Sequence, residues 1–333
     1  MSRRIPPSTA AMGPALISTW TPTRFAGMRS EAQAAGPLVD FHLHTTASDG
    51  RRTPEQVVEQ AVAAGLCRMA VTDHDTVAGV APARRAAAGR IPLVPGIEFT
   101  CREQALAPGL APISLHLLGY GIDPAHPALA AALRDRDAAV RRAYQALLDK
   151  LAAGGCPLRL EEIPARCGPN HLELADIDRA VQTACPGAAA LPELRALVAE
   201  HTAVMDRQNI PVERAVELIH AAGGLAVWAH PFHVYRRFAK QRLEISQVKA
   251  CLRQLRTFGL DGLEAYYRAF GEEERAALDA LAGENGLLCT AGSDCHGTPP
   301  RDRMGVVCPP RRWAELQRQL AFFPTAEKSA AVR

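Results

Sequence analysis

In the stretch VDFHLHTTASDG two imidazoles, His42 and His44, stand two positions apart with Asp40 before them and Asp49 after. Residues two apart on an extended strand point to the same face, so these rings can offer their lone pairs to one ion. The spacing returns near the far end of the chain, where Asp294 and His296 bracket Cys295 in GSDCHG. Between them lie His74 in VTDHDTVAG, Glu98 in PGIEFT, His116 in SLHLLGY and His230 in WAHP, each at or near the end of an apolar run. Imidazole together with carboxylate, without a cysteine cluster, suits divalent zinc, manganese or iron and disfavours a closed structural zinc site. One histidine on an apolar strand is more often a hydrogen-bonded core residue than a ligand, and a lone HxH pair is an even case. Core packing does not account for the whole set arriving on successive strand ends. His126, His201 and His220 fall in helical or loop contexts and are expected at the surface.

The elements that must position these residues alternate. PLVDFHLH reads as a strand, PEQVVEQAVAAG as a helix closed by Gly65, CRMAVTDH as a strand, and TVAGVAPARRAAAG as a helix. IPLVPGIEFT and ISLHLLGYGI follow as strands joined by a Pro- and Gly-bearing loop, and residues 127 to 153 form a long amphipathic helix ended by Gly154 and Gly155. Short helical pieces broken by Pro and Gly occupy 154–211, read as an inserted helical subdomain or lid. The alternation then resumes with LAVWAHP, LDGLEAYY and LLCTAGSDCHG as strands between helices. Seven strands mostly followed by helices predict a parallel barrel or barrel-like sheet over 37–153 and 212–333, with the doubly wound open sheet as alternative. Strand C-termini of such a barrel converge on one mouth, where active sites are built.

Composition narrows the class. The 38 basic and 35 acidic residues nearly balance, so no basic stripe of a sequence-independent nucleic-acid binder is visible. No Gly-rich dinucleotide fingerprint or P-loop follows any strand. Nine cysteines, an odd number without regular spacing, argue against a disulfide framework and fit a reducing cytoplasm. No run approaches the roughly 20 apolar residues that span a bilayer, so no membrane association is expected. Residues 1–36, rich in Pro, Ser, Thr, Ala and Arg, read as a flexible leader outside the fold.

The segments DFHLHTTASDG, VTDHDTVAG, PGIEFT, LHLLGYGID, WAHP and GSDCHG resemble, in order, the motifs of the PHP superfamily, named for polymerases and histidinol phosphatase. The resemblance implies a distorted (β/α)7 barrel with an inserted helical subdomain, holding three divalent metal ions (manganese, zinc or iron). By the same resemblance His42, His44, Glu98 and Asp294 bind one ion. Glu98 bridges to a second ion held also by His116 and His230, while Asp49, His74 and His296 hold the third. Three such ions against the carboxylates of Asp49, Glu98 and Asp294 leave the centre cationic, which suits a phosphate. The implied activity is a phosphatase reaction in which a metal-bridging hydroxide attacks phosphorus in line. Glu98, Asp294 and His74 are placed in catalysis.

The nearest motif likeness is to small bacterial members that act on nucleotides. The expected substrate is a small phosphorylated molecule, a nucleoside monophosphate, 3',5'-bisphosphate or modified nucleotide, with no stable nucleic-acid partner. A 5'-end RNA exonuclease and a metal hydrolase of a nonphosphate bond are the alternatives. Those relatives carry an Arg-Pro-His segment that contacts phosphate, where this chain has CGPNHLELAD, with His171 in the His position and no Arg. After AHP they carry an Arg-Tyr pair, where this chain reads AHPFHVYRR; His233 and Arg236, with Tyr235 and Arg237 beside them, are the candidates for substrate contact. Asp40 and Asp73 are expected to orient ligand imidazoles, Asp75 to cap the following helix, and Cys295 to point away into packing.

Overall fold

A computed structural model describes residues 36–165, 172–186 and 190–320. Most of the leader and His171 therefore lie outside the described residues. The seven expected strands all form: β1 (Leu38–Asp40), β2 (Arg68–Val71), β3 (Leu93–Thr100), β4 (His116–Tyr120), β5 (Leu225–Trp228), β8 (Gly262–Tyr267) and β9 (Leu288–Gly292). A hairpin of β6 (His233–Arg236) and β7 (Ala239–Arg242), and a short β10 (Val306–Val307), were not expected from the alternation. The main sheet runs β10-β1-β2-β3-β4-β5-β8-β9. The continuation of β1 meets β9 and the residues after it, where the Phe41 amide donates to the Ala291 carbonyl at 3.0 Å and the His44 amide to the Cys295 carbonyl at 3.1 Å, nearly closing a barrel.

The barrel is not wholly parallel. Strand β4 runs antiparallel to both β3 and β5, with Thr100 opposite His116 and Leu117 opposite Trp228. Parallel neighbours need a long crossover, usually a helix, whereas antiparallel ones can be joined by a loop. The linking segment, residues 101–115, contains no helix and pairs with itself, the Cys101 amide donating to the Leu115 carbonyl at 3.0 Å and Gln104 bridging antiparallel to Ile113, so the chain turns back beside β3.

The helices follow local signals. Helix α1 (Pro54–Ala63) starts with Thr53 and Gln56 in a reciprocal capping box and Pro54 in its first turn, and Gly65 takes a φ of 74° after it. Helix α2 (Val80–Ala87) is shorter than the pattern suggested, and α3 (Pro127–Ala153) spans the full expected length. Helices α4 (Leu174–Ala184), α5 (Leu191–Glu200) and α6 (Thr202–Asp206) share an apolar cluster with Ala143, Tyr144, Leu147 and Leu151 from the second half of α3. His201, expected at the surface, is buried there and bonds the Ala143 carbonyl through Nε2 at 2.8 Å. His126 is half-buried and His220 is exposed, pairing with Asp261. Helices α7 (Val212–Ala221), α8 (Ile245–Thr257), α9 (Glu272–Asn285) and α10 (Pro310–Leu320) complete the described set. No described helix is long and apolar enough to cross a membrane.

Side-chain alternation separates two environments. On β3, Ile97 and Phe99 enter the core packed by Val216, Ile219 and Trp228, while Glu98 between them faces the other way. Asp40, at the end of β1, is fully buried. Its carboxylate accepts from the amides of His42 (3.2 Å), Ser293 (2.9 Å) and Gly305 (2.8 Å) and from the Ser293 hydroxyl (2.6 Å). It thereby fastens the end of β1 to the end of β9. Burial pushes its carboxyl up to about 6 despite those four bonds. Asp40→Ala should leave four buried donors unpaired and cost about 2–4 kcal/mol. Urea unfolding checks this: a loss near 2 kcal/mol or above is expected, and a midpoint unchanged from the parent protein would contradict the stitching role.

Candidate metal centre

Glu98 is fully buried, and five imidazoles point at its two oxygens. His42 Nε2 and His44 Nε2 lie 2.9 and 3.1 Å from Oε2, with His74 Nδ1 at 3.4 Å. His116 Nδ1 and His230 Nε2 lie 2.9 and 3.4 Å from Oε1. Asp294 Oδ1 stands 3.6 Å from His42 Nε2 and 3.2 Å from His44 Nε2. On the other side of His44, Asp49 Oδ1 is 3.3 Å from Nδ1, and Asp49 Oδ2 is 2.8 Å from His296 Nε2 and 4.0 Å from His74 Nε2.

Three overlapping donor groups result, each compact enough to hold an ion: His42, His44, Glu98 and Asp294; His74, Glu98 and His116; and His44, Asp49, His74 and His296. The first corresponds to the expected first set. The second has His74 where the expectation had His230, whose ring nonetheless reaches the same Glu98 oxygen. The third holds Asp49, His74 and His296 as expected and adds His44. His42 Nε2, both His44 nitrogens and Glu98 Oε2 are buried without a hydrogen bond, although neighbours stand about 3 Å away. Buried polar atoms normally find partners. Ligand atoms each about 2.1 Å from a shared ion stand about 3 Å apart with lone pairs aimed at the ion and not at each other. The orphaned atoms and the donor chemistry both fit divalent metal.

The electrostatics agree. Burial alone would raise Glu98, yet His42, His74 and His116 outweigh it and hold the carboxyl well below its usual range. Burial opposes charge on His44 as well, but Asp49, Asp294 and Glu98 hold it up at about 10. His74 goes the other way: burial, with His44 and His116 nearby, outweighs Glu98 and Asp49 and keeps it well below the usual value.

Local backbone explains how the residues arrive. His42 and His44 lie just past β1, kept in register by the Leu43–Cys295 bridge. His74 extends β2 and bridges to Glu98, whose amide donates to the Asp73 carbonyl at 3.1 Å. His230 and Asp294 adopt φ of 32° and 56°, conformations uncommon for non-glycine residues and characteristic of functional sites. The His230 ring is oriented by its Nδ1, 3.1 Å from the His233 carbonyl.

The supporting carboxylates differ from expectation. Asp73 does not orient His74. It accepts from the Thr45 amide (2.7 Å), Thr45 hydroxyl (2.8 Å) and Ser48 hydroxyl (2.7 Å), shaping the turn that carries Asp49. Asp75 is no helix cap, because α2 begins only at Val80; its carboxylate accepts from the Thr100 amide at 3.1 Å and pairs with Arg136 at 2.7 Å. Asp40 meets the His42 amide and not its ring. The ring's partner is Glu264, overlooked in sequence, whose Oε1 lies 2.9 Å from His42 Nδ1 and whose Oε2 accepts from the His230 amide at 2.8 Å. A carboxylate inside the apolar run LDGLEAYY was the available signal, since such groups are almost never fully buried without a partner. Gly292 leaves room for this contact: a Cβ there would come within 2.3 Å of Glu264 Oε1 and 2.4 Å of His42 Cβ. Cys295 is buried among Leu43, Val57 and Met69, away from the donors.

Of the substrate candidates, His233 is partly buried, its ring 6.2 Å from that of His230 and edge-on to Tyr267 and Phe270. Burial, then Lys240, His230 and Arg242, push it down to about 4. Tyr235 stacks on His116 at 4.6 Å. Arg236 is exposed and alternates to the strand face opposite His233 and Tyr235, so the structure does not bring it to the cluster. Arg237 sits at the hairpin turn with φ 50°.

The PHP domain family matches residues 40–285. The chain is 29% identical over 301 residues to a 3',5'-nucleoside bisphosphate phosphatase of Chromobacterium violaceum, covering 85% of this chain and 97% of that protein. It is 28% identical over 288 residues to the 5'-3' exoribonuclease Rnm of Escherichia coli, covering 85% and 89%. The solved structure of an amidohydrolase from Chromobacterium violaceum, with bound sulfate and no metal, superposes with a TM-score of 0.62 at 27% identity, covering 84% of this chain and 96% of that one.

Partners that orient ligand imidazoles typically govern metal affinity by 10–100-fold. Glu264→Gln keeps the volume but loses the charge that fixes His42. Its affinity for manganese, measured by competition with a chelator, should fall about 10–100-fold; an affinity within twofold of the parent protein would show that Glu264 does not orient a ligand.

Proposed function

The chain belongs to the PHP domain family, and we propose that it is a metal-dependent phosphoesterase that hydrolyses a phosphate monoester of a nucleotide, releasing inorganic phosphate. The observation that carries this reading is the convergence of His42, His44, Asp49, His74, Glu98, His116, His230, Asp294 and His296 around buried polar atoms that lack hydrogen bonds.

In this reading His42, His44, Glu98 and Asp294 hold one divalent ion, and Glu98 with His116 and His230 a second. Asp49, His74 and His296 hold the third. Bound ions would supply positive charge to phosphoryl oxygens and lower the pKa of an attacking water. The chain's own residues do the rest. Glu98 joins two donor groups through its two oxygens. Glu264 fixes the His42 ring and the turn at His230, and the Tyr267 hydroxyl donates to Asp294 Oδ2 at 3.0 Å, setting the direction of that carboxylate. The apolar cluster of Ala70, Val94, Leu118, Val227 and Ala291 backs these donors and limits water.

Two features support a small nucleotide. A bisphosphate phosphatase is among the full-length relatives, and the partly exposed Tyr235 ring, stacked on His116, stands beside the donors. The ion identities suited to this donor set are manganese, zinc and iron. Manganese-loaded protein incubated with nucleoside monophosphates, 3',5'-bisphosphates and 5'-phosphorylated short RNA should release inorganic phosphate from at least one free nucleotide. Absence of release from every nucleotide despite full loading would overturn the reading, and mononucleotides cut from RNA alone would replace it with exonuclease activity.

A further inference from the structure

The donor cluster is bordered by two cations from separate segments. The turn after β9 doubles back so that the Arg301 carbonyl accepts from the amides of His296 (2.8 Å) and Gly297 (2.9 Å), and Thr298 bridges to Arg301. This fixes the Arg301 backbone beside the last ligand pair. Its Nη1 stands 3.0 Å from His296 Nε2 and 3.4 Å from Asp294 Oδ2, with nearly half of the side chain exposed.

The second cation comes from the β6–β7 hairpin. Directly opposed residues of an antiparallel pair project from the same face, and the register sets Tyr235 against Lys240 and His233 against Arg242. Tyr235 stacks on His116 and His233 lies against Tyr267, so the face that carries Lys240 is the one turned toward the donors. Burial, with Arg301 and Arg242 nearby, lowers the Lys240 ammonium, while Asp294 opposes this. Arg242 is engaged elsewhere, paired with Glu274. From Pro231 to Leu243 the hairpin segment contains no acidic residue.

We propose that Arg301 and Lys240 bind the nonbridging oxygens of the phosphoryl group presented at the donor cluster and orient it for hydrolysis. The inference rests on the phosphoesterase reading above. A guanidinium presents a planar fork of donors that matches two oxygens of a phosphate, and an ammonium adds a point charge. Neither is itself a metal ligand, and with an ion on His296 Nε2 the Arg301 fork, now 3.0 Å from that nitrogen, would turn to a phosphate oxygen. Arg301 thus does more than neutralise Asp294: it is held by its own backbone at the edge of the cluster, with part of its fork open to a ligand.

The test uses the full chain loaded with manganese and inorganic phosphate as probe, in parent protein, Lys240→Gln, Arg301→Gln and Arg301→Lys, with metal content measured in each. Loss of a charged hydrogen-bond donor should weaken phosphate binding by calorimetry roughly 10- to 100-fold in each Gln variant at unchanged metal content, with partial recovery in Arg301→Lys. On a hydrolysed nucleotide, KM should rise more than kcat falls in Lys240→Gln. Phosphate binding within twofold of the parent in both Gln variants would overturn the proposal. Loss of metal from Arg301→Gln would assign that residue to holding the ligands and overturn its part. A parent protein that takes up metal but binds no phosphate would instead refute the phosphoesterase reading on which the proposal stands.

Discussion

One buried carboxylate constrains this protein. Glu98 has no access to water, and a lone carboxylate in such a place would be neutralised or expelled. It persists charged because imidazoles from four other chain segments close on it. Much of the architecture can be read as what that convergence requires. Strand β4 turns back beside β3 so that His116 comes within reach of the same carboxylate. The continuation of β2 bridges to β3 at Glu98, setting His74 beside it. Near closure of the sheet brings His42 and His44 alongside Asp294.

A second layer holds the first in place. Asp40 and Asp73 use their carboxylates on backbone amides and hydroxyls, fixing the turns that carry candidate donors and leaving the rings to others. Glu264 alone of these meets a donor ring, that of His42, and it also accepts from the His230 amide, where the backbone is left-handed. These contacts stabilise costly conformations at His230 and Asp294 that would relax in an isolated strand. Core packing, the stitched strand ends and the donor geometry are therefore one mechanical unit, while the helices packed on the second half of α3 form a separate apolar cluster.

Much of this was legible in sequence because the signals were periodic and local. Apolar alternation marked all seven principal strands, and the polar residues at their ends marked the donors. What escaped depended on partners distant in the chain. The direction of β4 is set by tertiary pairing and by a linking segment that pairs with itself, to which a hydrophobic period is blind. Asp75 looked like a cap because a helix pattern followed it, but Arg136 and the Thr100 amide, remote in sequence, took its carboxylate. His201 resembled a surface residue, but α5 and α6 pack on α3 and bring its Nε2 to the Ala143 carbonyl. Arg301 carries no sequence signal, since its place follows from a turn that folds back onto His296.

If Glu98 unites the donor groups into a multinuclear centre, the metal content of the chain depends on it. Metal analysis of purified protein by mass spectrometry, with parent and Glu98→Gln compared after identical loading, tests it most directly. Close to three divalent ions per chain are expected in the parent, with loss of at least one ion in Glu98→Gln. A parent chain that retains no more than one ion, or a Glu98→Gln protein with undiminished metal content, would contradict it.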